Sequence, residues 1–392
     1  MHVITLNCGS SSLKFALYRV ADEIGAELVA EGAVERIGQP AGHLWIRGPE
    51  RRVLRDARGD YPQHTAAVAA ALKELEELNL PKPDAAGHRI VHGGPTYTAP
   101  ALVDVSLLST LQGLIPFAPL HLPIEIQGIE AVAKRLPKLP QVACFDTAFH
   151  RSMPELAQRL PLRRSLWEDG IRRYGFHGLS YEYVVEALGP AARGRVIIAH
   201  LGNGVSLAAV RDGQAMDTTM GFTPTGGAMM GTRSGDLDPG ILLYLLRDRG
   251  YDAAQIDSLV NHQAGLLGVS EISSDMEALL HKRESQPSAA QAVDMFCYHL
   301  RKHIGALTAI LGGVDTLVFT GGIGERASSV RWSVCQGLEY LGIQLDVKRN
   351  DSHAGIISKP GSPCAVRVIP TSENLIIARQ TQRTILLNPS VC

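Results

Sequence analysis

The chain has 392 residues, 45% of them hydrophobic and 20% charged, with 38 Lys plus Arg against 39 Asp plus Glu for a formal net charge of −1. That length suits two or three domains of ordinary globular composition, and the balanced charge excludes the basic excess that broad contact with a nucleic-acid backbone requires. No apolar run approaches the roughly 18 residues that span a bilayer, and the longest clean runs, such as Ile241–Leu246, have the length of a helix-core segment.

The opening Met-His-Val-Ile-Thr-Leu turns polar within seven residues and carries neither the basic region nor the long apolar stretch of a secretory signal. The residues from 2 to 7 read as an apolar strand. It ends at Asn7-Cys8-Gly9-Ser10-Ser11-Ser12, and residues 13–20 then alternate as a second strand, which makes a hairpin with a small-residue turn. Residues 64–79 are Ala-rich with Leu72, Leu75 and Leu78 at helical spacing, and Pro81 and Pro83 stop that helix. A strand follows and ends at His88-Arg89-Ile90-Val91-His92-Gly93-Gly94. The Pro-punctuated stretches at 115–123, 154 and 161 read as loops and cleft walls, and Val142–Phe145 is a strand ending at Asp146.

The second half repeats this order. Val196–Ala199 is a strand, His200-Leu201-Gly202-Asn203-Gly204 a turn, and Val205–Val210 an alternating strand that turns at 211–213 into a third. Asp238 as N-cap and Pro239 in the first turn start a helix over Ile241–Arg249. A long helix covers 289–311, an apolar strand Thr316–Thr320 runs into a Gly-rich turn at 321–324, a strand covers 364–369, and a helix covers 374–384 behind Thr371-Ser372-Glu373. The repeat of feature order about 190 residues apart predicts a duplicated α/β domain.

Small residues in the turns at 7–12, 200–204 and 321–324 allow backbone N–H groups to approach an anion, and the hydroxyls of Ser10 and Ser12 add donors. A hairpin turn explains each one alone; three in a duplicated α/β chain point to a nucleotide cleft. Lys14, next to the first turn, is either a solvated strand charge or a phosphate ligand. The chain has no GxxxxGK[ST], and Ala327 stands where a dinucleotide GxGxxG needs Gly. Arg233 sits in a Gly-rich stretch, 226–240, where a guanidinium suits bidentate recognition of phosphate or carboxylate. Asp146 at a strand end is a position for polarising a metal or for capping a turn. His299 and His303 are four apart on the long helix but lack the Glu of HExxH, which argues against a metal face. The six cysteines at 8, 144, 297, 335, 364 and 392 form no CxxC pair, so reduced thiols of a cytoplasmic protein are expected.

Taken together the motifs resemble the acetate kinase family, within the acetate and sugar kinase/Hsp70/actin superfamily, over essentially the whole chain. The matching segments are 7–15, 88–94, Phe145-Asp146-Thr147-Ala148-Phe149-His150, Tyr174-Gly175-Phe176-His177-Gly178, 200–204, and 220–224 with 229–236. The resemblance implies an α/β fold of two ribonuclease-H-like, actin-like ATPase domains (the βββαβαβα core twice) with an interdomain cleft. It implies residues 1–148 plus 372–392 as one domain, 149–371 as the nucleotide-binding other, and a homodimer. It further implies Asn7 and Glu373 at Mg²⁺ (or Mn²⁺), Lys14 at a nucleotide phosphate, Arg89 at the substrate and Asp146 as acid or base. His177 and Arg233 would stabilise the transition state, and His121 corresponds to another active-site histidine. ATP or ADP would be held by His200, Leu201, Gly202, Asn203 and Gly204, by Asp275, Met276 and Glu277, and by Gly322, Ile323, Gly324, Glu325 and Arg326.

Five positions depart from the family pattern: Leu122 stands for an Asn, Met276 for a Phe, Glu277 for an Arg, Arg326 for an Asn and Tyr181 for a His. The expected reaction is ATP plus acetate giving ADP plus acetyl phosphate, reversibly, in the cytoplasm, with no nucleic-acid or membrane partner. A propionate or butyrate kinase is the near alternative and a non-kinase ATPase of the actin or Hsp70 type the distant one. If Arg89 holds the carboxylate, strand alternation puts Val91 on the same face, beside the acyl end, with Leu120, Phe176 and Pro224 as further walls.

Overall fold

Strand β1 (His2–Cys8) has Val3 to Leu6 fully buried, because it is covered on both faces. Ile4, Leu6 and Cys8 face a core cluster with Val68, Leu72 and Leu75 of the helix His64–Glu77, and with Val132 of the helix Leu122–Arg135. Val3, on the alternate face, packs with Ala16, Tyr18 and Ala378, the last from the C-terminal helix Glu373–Leu387. That two-sided burial is why β1 reads as a continuous apolar run with little alternation.

The computed structural model describes residues 1–21 and 25–388. Cys392, and residues 389–392 of the expected first domain, lie outside the described residues. The chain divides into two units, the first comprising Met1–Phe149 and the chain from Ser372, the second His150–Thr371.

The first unit holds an eight-stranded sheet of β1, β2 (Ser12–Val20), β3 (Ala26–Glu35), β4 (Gly42–Arg47), β5 (Val53–Gly59), β6 (Ala85–Ile90), β7 (Ala101–Leu102) and β8 (Gln141–Phe145), in the order β5-β4-β3-β2-β1-β6-β8-β7. β1 pairs antiparallel with β2, placing Asn7 opposite Lys14, and parallel with β6; β6 pairs parallel with β8. The missing side chain of Gly87 lets the C-terminal helix approach the sheet at Ile377 and Thr381, where a Cβ has no room.

The second unit holds β9 (Arg195–Leu201), β10 (Val205–Arg211), β11 (Gln214–Thr218), β12 (Thr316–Thr320) and β13 (Ala365–Val368), in the order β11-β10-β9-β12-β13. β11, β10 and β9 pair antiparallel, and β9, β12 and β13 pair parallel. The series β3-β2-β1-β6-β8 of the first unit has the same order and the same strand senses. The duplication is therefore visible in topology, with β4, β5 and β7 added at the edges of the first sheet. The helix Pro287–Leu311 buries Phe296, Leu300, Ile304 and Leu307 along one stripe.

Several expectations are corrected. Gly321–Gly324 is the start of the helix Gly321–Arg326, entered through Gly321 at φ +76°, whose missing Cβ makes room for the Leu201 carbonyl. The stretch 115–123 is not all loop, since Pro123 lies in the first turn of the helix Leu122–Arg135, where its missing N–H costs no bond. The helix after 64 ends at Glu77, ahead of both prolines, with Asn79 left-handed at φ +53°. Ile241–Leu246 is not core: the helix Pro239–Asp248 has no buried residue, and Ile241, Leu243, Tyr244 and Leu246 are exposed. Among the described residues no helix is long and apolar enough to cross a membrane, and Cys8, Cys144, Cys297, Cys335 and Cys364 are buried free thiols.

Candidate active site

In the first unit, the C-terminal ends of three neighbouring strands bring their last polar residues together. Asn7 is near the end of β1, Arg89 near the end of β6, and Asp146 directly follows β8. The Arg89 guanidinium grips Asp146 with Nε at 3.2 and 3.1 Å from the two carboxylate oxygens and Nη2 at 2.6 Å, and its Nη1 donates to Asn7 Oδ1 at 3.2 Å. Glu373, the first residue of the C-terminal helix, completes the group. It accepts from Asn7 Nδ2 at 3.2 Å and lies 3.8 Å from Arg89 Nη1. The Asp146 side chain is only 1% exposed, whereas those of Arg89 and Glu373 keep 18% and 16%. Burial alone pulls the Arg89 pKa down, but the charges of Asp146 and Glu373 outweigh it and hold the guanidinium above its ordinary value.

A third acid belongs to this region. Glu125 is 2% exposed in the helix Leu122–Arg135 and accepts the Val91 N–H at 3.1 Å. Burial pushes its carboxyl up to about 8; the Val91 N–H and Arg89 pull it down, and Asp146 pushes it up. Burial, with a smaller push from Glu125, also raises the Cys8 thiol to about 12, so that thiol is inert. Sequence reasoning missed Glu125, although a signal was present: it lies three residues after Leu122 and four before Ile129, on the apolar stripe of its helix.

Val91 itself is 4% exposed and lies one residue past the end of β6. Strand alternation therefore does not place it on the Arg89 face, because that two-residue period holds only within a strand. His121 is the half-buried N-cap of the Leu122 helix and makes no side-chain cap bond; Leu120 beside it is half-buried. Lys14 and Ser10 are exposed and Ser12 half-buried at the 8–12 turn, which is closed by Gly9 N–H to Ser12 O at 2.8 Å. His64 pins that turn, donating from Nε2 to Gly9 O at 2.7 Å.

The second unit gathers the other predicted residues. His177 is the left-handed N-cap, at φ +59°, of the helix Gly178–Leu188. Its Nδ1 is 2.8 Å from Ser206 Oγ on β10, and its ring stacks on His200 with centroids 4.3 Å apart. His200 in turn is held at Nδ1 by Ser180 Oγ at 2.8 Å. Gly204 provides the floor: a Cβ there would stand 3.1 Å from His177 Nε2 and 3.7 Å from Arg233 Nη1. His177, Arg233 and the 200–204 turn therefore converge on one spot that only a glycine backbone leaves open.

Arg233 Nη1 donates to Pro224 O at 3.2 Å. Its loop is fixed by Asp236, which takes the Gly227 N–H at 2.7 Å and returns its own N–H to Gly227 O at 2.8 Å. Pro224 is buried, and Phe176 is 1% exposed with its carbonyl accepting from His150 at 3.0 Å.

The remaining nucleotide candidates divide. In the turn after β9, Asn203 is exposed, Gly202 and Gly204 are half-buried, and Leu201 is core. Asp275 caps the helix Met276–Lys282 through Ala278 N–H at 2.8 Å, Met276 is core at 3% exposure, and the Glu277 side chain is 86% exposed. Glu325 is occupied with backbone, accepting from Gly321 N at 3.1 Å and Thr371 N at 3.2 Å, while Gly322 and Arg326 are exposed, Ile323 is half-buried and Gly324 is buried. Arg331, fully buried and not picked out from sequence, locks this segment by donating from Nη1 to the carbonyls of Gly324 and Glu325, both at 2.9 Å. Among the described residues no group of three or more His, Cys, Asp or Glu side chains is arranged to hold a metal, His299 and His303 included.

Residues 2–379 match the sequence profile of the Acetokinase family. The chain is 44% identical to an acetate kinase of Rhodopseudomonas palustris, over 97% of this chain and 98% of that protein. It is 42% identical to an acetate kinase of Clostridium botulinum, over 97% and 99%. Among solved structures it is similar to Porphyromonas gingivalis acetate kinase (TM-score 0.87, 40% identity, covering 98% of this chain and 99% of that one). It is also similar to a propionate kinase from Francisella tularensis (TM-score 0.90, 35% identity, covering 97% and 99%).

Proposed function

The chain belongs to the acetokinase family, and from that premise we propose that it catalyses reversible transfer of the γ-phosphoryl group of ATP to acetate, giving ADP and acetyl phosphate. It is a phosphotransferase with a carboxyl group as acceptor. The observation that carries the choice of acetate is the full-length relationship to acetate kinases at 41–44% identity.

The chemistry asks for charge neutralisation more than for a base. Acetate is already ionised at neutral pH, with an ordinary carboxyl pKa near 4, so the obstacle is bringing one anion to another. Arg89 meets that need in the first unit, and its bonds to Asp146 and Asn7 hold it in place while using three of its five N–H groups. We assign it the acetate carboxylate and, on the burial of Val91 two residues beyond Arg89 rather than on strand alternation, place Val91 and Leu120 near the methyl group. Asp146, locked to Arg89, acts by orienting the guanidinium and the local water; the step needs no proton removed from the acid. In the second unit His177 and Arg233 flank Gly204 with two donors, the arrangement that stabilises charge on the equatorial oxygens of a transferring phosphoryl group. Lys14, Ser10 and Ser12 are assigned to nucleotide phosphate, and 200–204 and 322–326 to the nucleotide. Among 275–277 the capping role of Asp275 and the burial of Met276 leave Glu277 as the exposed candidate.

Asn7 and Glu373 would hold Mg²⁺, with Mn²⁺ as a substitute. The oxygens at this cluster are those of the Glu373 carboxylate and of the Asn7 amide, whose Oδ1 here accepts from Arg89, with no imidazole or thiolate, which is the hard set a Mg²⁺ ion takes alongside water and substrate phosphates. Bound there, the ion would supply positive charge to the nucleotide phosphates.

A homodimer is supported by the helix Pro239–Asp248, whose exposed Ile241, Leu243, Tyr244 and Leu246 join exposed Leu237 and Tyr251 in a run of apolar residues. Sedimentation velocity tests it: Tyr244→Asp should shift a dimer toward monomer. A cytoplasmic setting is supported by the buried free thiols. The second reading, propionate kinase, is favoured by the TM-score of 0.90 to such an enzyme. Trapping the acyl phosphate with hydroxylamine, across acetate, propionate and butyrate, tests both. Acetate giving the highest kcat/KM is the expected result, propionate in first place selects the second reading, and no acyl phosphate from any acid refutes both.

A further inference from the structure

The His177 imidazole meets a buried pair of hydroxyls. Ser206 Oγ lies 2.8 Å from His177 Nδ1 on one side and 2.5 Å from Tyr181 Oη on the other, and Ser206 and Tyr181 are both fully buried. Tyr181 sits four residues after His177, on the first turn of the helix that His177 caps, so phenol and imidazole approach the same β10 serine from one helix end. Three polar groups in a line share two hydrogen bonds, and a single serine proton decides their direction.

The direction follows from acidity. The phenol is the strongest O–H acid of the set, with an ordinary pKa near 10, and an unprotonated imidazole nitrogen is the strongest acceptor. The lowest-energy chain runs from Tyr181 O–H to Ser206 Oγ, and from Ser206 O–H to His177 Nδ1. In that chain Nδ1 is the acceptor, so the proton of the neutral ring must sit on Nε2. Nε2 is the atom facing the Gly204 opening beside Arg233. The reverse chain would leave a lone pair on Nε2, pointed at the place where anionic oxygen has to come.

We infer that Tyr181 and Ser206 are positioning residues that fix His177 as the Nε2–H tautomer, making its outward nitrogen a hydrogen-bond donor beside Arg233. For the identity of the anion received there the inference rests on the kinase reading; the tautomer itself does not. The His200 ring stacked on His177 and the Ser180 hydroxyl on His200 Nδ1 hold the imidazole plane, while the Tyr181–Ser206 pair sets its proton. In Tyr181→Phe the phenyl ring keeps its volume, but Ser206 loses its donor and becomes free to accept from an Nδ1–H.

The test reads ring-nitrogen chemical shifts of histidine labelled with ¹⁵N in the substrate-free full chain, with the His177 signals assigned by their loss in His177→Gln. The wild type should show an unprotonated Nδ1 and a protonated Nε2. Tyr181→Phe should move the proton toward Nδ1 and lower kcat by about tenfold or more, up to the roughly 10⁴-fold loss that a fully misplaced catalytic-histidine tautomer causes, with the KM for acetate within about twofold. An Nδ1–H ring in the wild type overturns the inference, and so does a Tyr181→Phe protein whose tautomer is unchanged, whatever its activity. Should Tyr181→Phe fail to fold, the wild-type spectrum and Ser206→Ala, expected to give a mixed tautomer, decide it. A chain that forms no acyl phosphate but shows the wild-type Nε2–H ring would sink the kinase reading and leave this one standing.

Discussion

Glu125→Gln isolates the one buried carboxyl that the active-site geometry leaves unpaired with a cation. Its carboxyl is 2% exposed and is pushed up to about 8, against about 4.3 in an unfolded chain. The folded state therefore holds a proton that the unfolded state has released, throughout the window between those values. Stability from this group is complete below about pH 4.3 and is lost as pH rises through about 8, at a rate of about 1.4 kcal/mol per pH unit. By pH 8.5 the accumulated loss is about 4–5 kcal/mol, a large part of the total stability of an ordinary protein. A glutamine is neutral at every pH and keeps an oxygen for the Val91 N–H. Urea unfolding from pH 5 to 8.5 should find the two proteins similar at the acid end and the variant about 3–5 kcal/mol more stable at the alkaline end. Trp45 is the sole tryptophan of the first unit, so its fluorescence, with Trp167 and Trp332 replaced by Phe, reports the unit that contains Glu125. Curves for wild type and variant that fall in parallel would refute the reasoning, because Glu125 would then be ionised in the fold, compensated by Arg89.

Arg233→Ala is expected to lower kcat by at least about a hundredfold, the cost of one transition-state donor, with a smaller change in either KM; near-wild-type turnover removes Arg233 from the mechanism. Asn7→Ala and Glu373→Ala should each raise the Mg²⁺ concentration needed for half-maximal activity, and an unchanged metal titration in both contradicts the assignment. Val91→Ala should move the acetate-to-propionate ratio of kcat/KM toward propionate by about tenfold, the worth of one methylene in a pocket. A ratio that stays put while both values fall makes Val91 a packing residue.

Local patterning carried most of the secondary structure. Backbone hydrogen bonding and side-chain period act over a few residues, so β1, the hairpin at 8–12, β12 and the Asp238-capped helix could all be read from the chain. The repeated feature order likewise announced a duplication, and the sheets bear it out in strand order and sense. The resemblance of its motifs to the acetate kinase family nominated Asn7, Arg89, Asp146 and Glu373 individually. What brought Asn7 and Glu373 to 3.2 Å across 366 residues was the docking of the C-terminal helix on the sheet at Gly87, a packing event with no local signature.

The same distinction explains the misreadings. Apolar residues at 241–246 gave the helix correctly, but not whether that helix is covered, because an apolar stripe looks the same facing a core or facing a partner. Gly321–Gly324 has the composition of a turn and became a helix because the close approach of β9 at Leu201 selects a left-handed entry that glycine permits. Val91 left the strand one residue too early for alternation to apply. Glu125, Tyr181 and Ser206 gained their roles from burial beside particular neighbours. Sequence alone determined which elements this chain forms and which residues stand at their ends; burial and long-range contact, which depend on every element at once, decided which of those residues meet and in what protonation state.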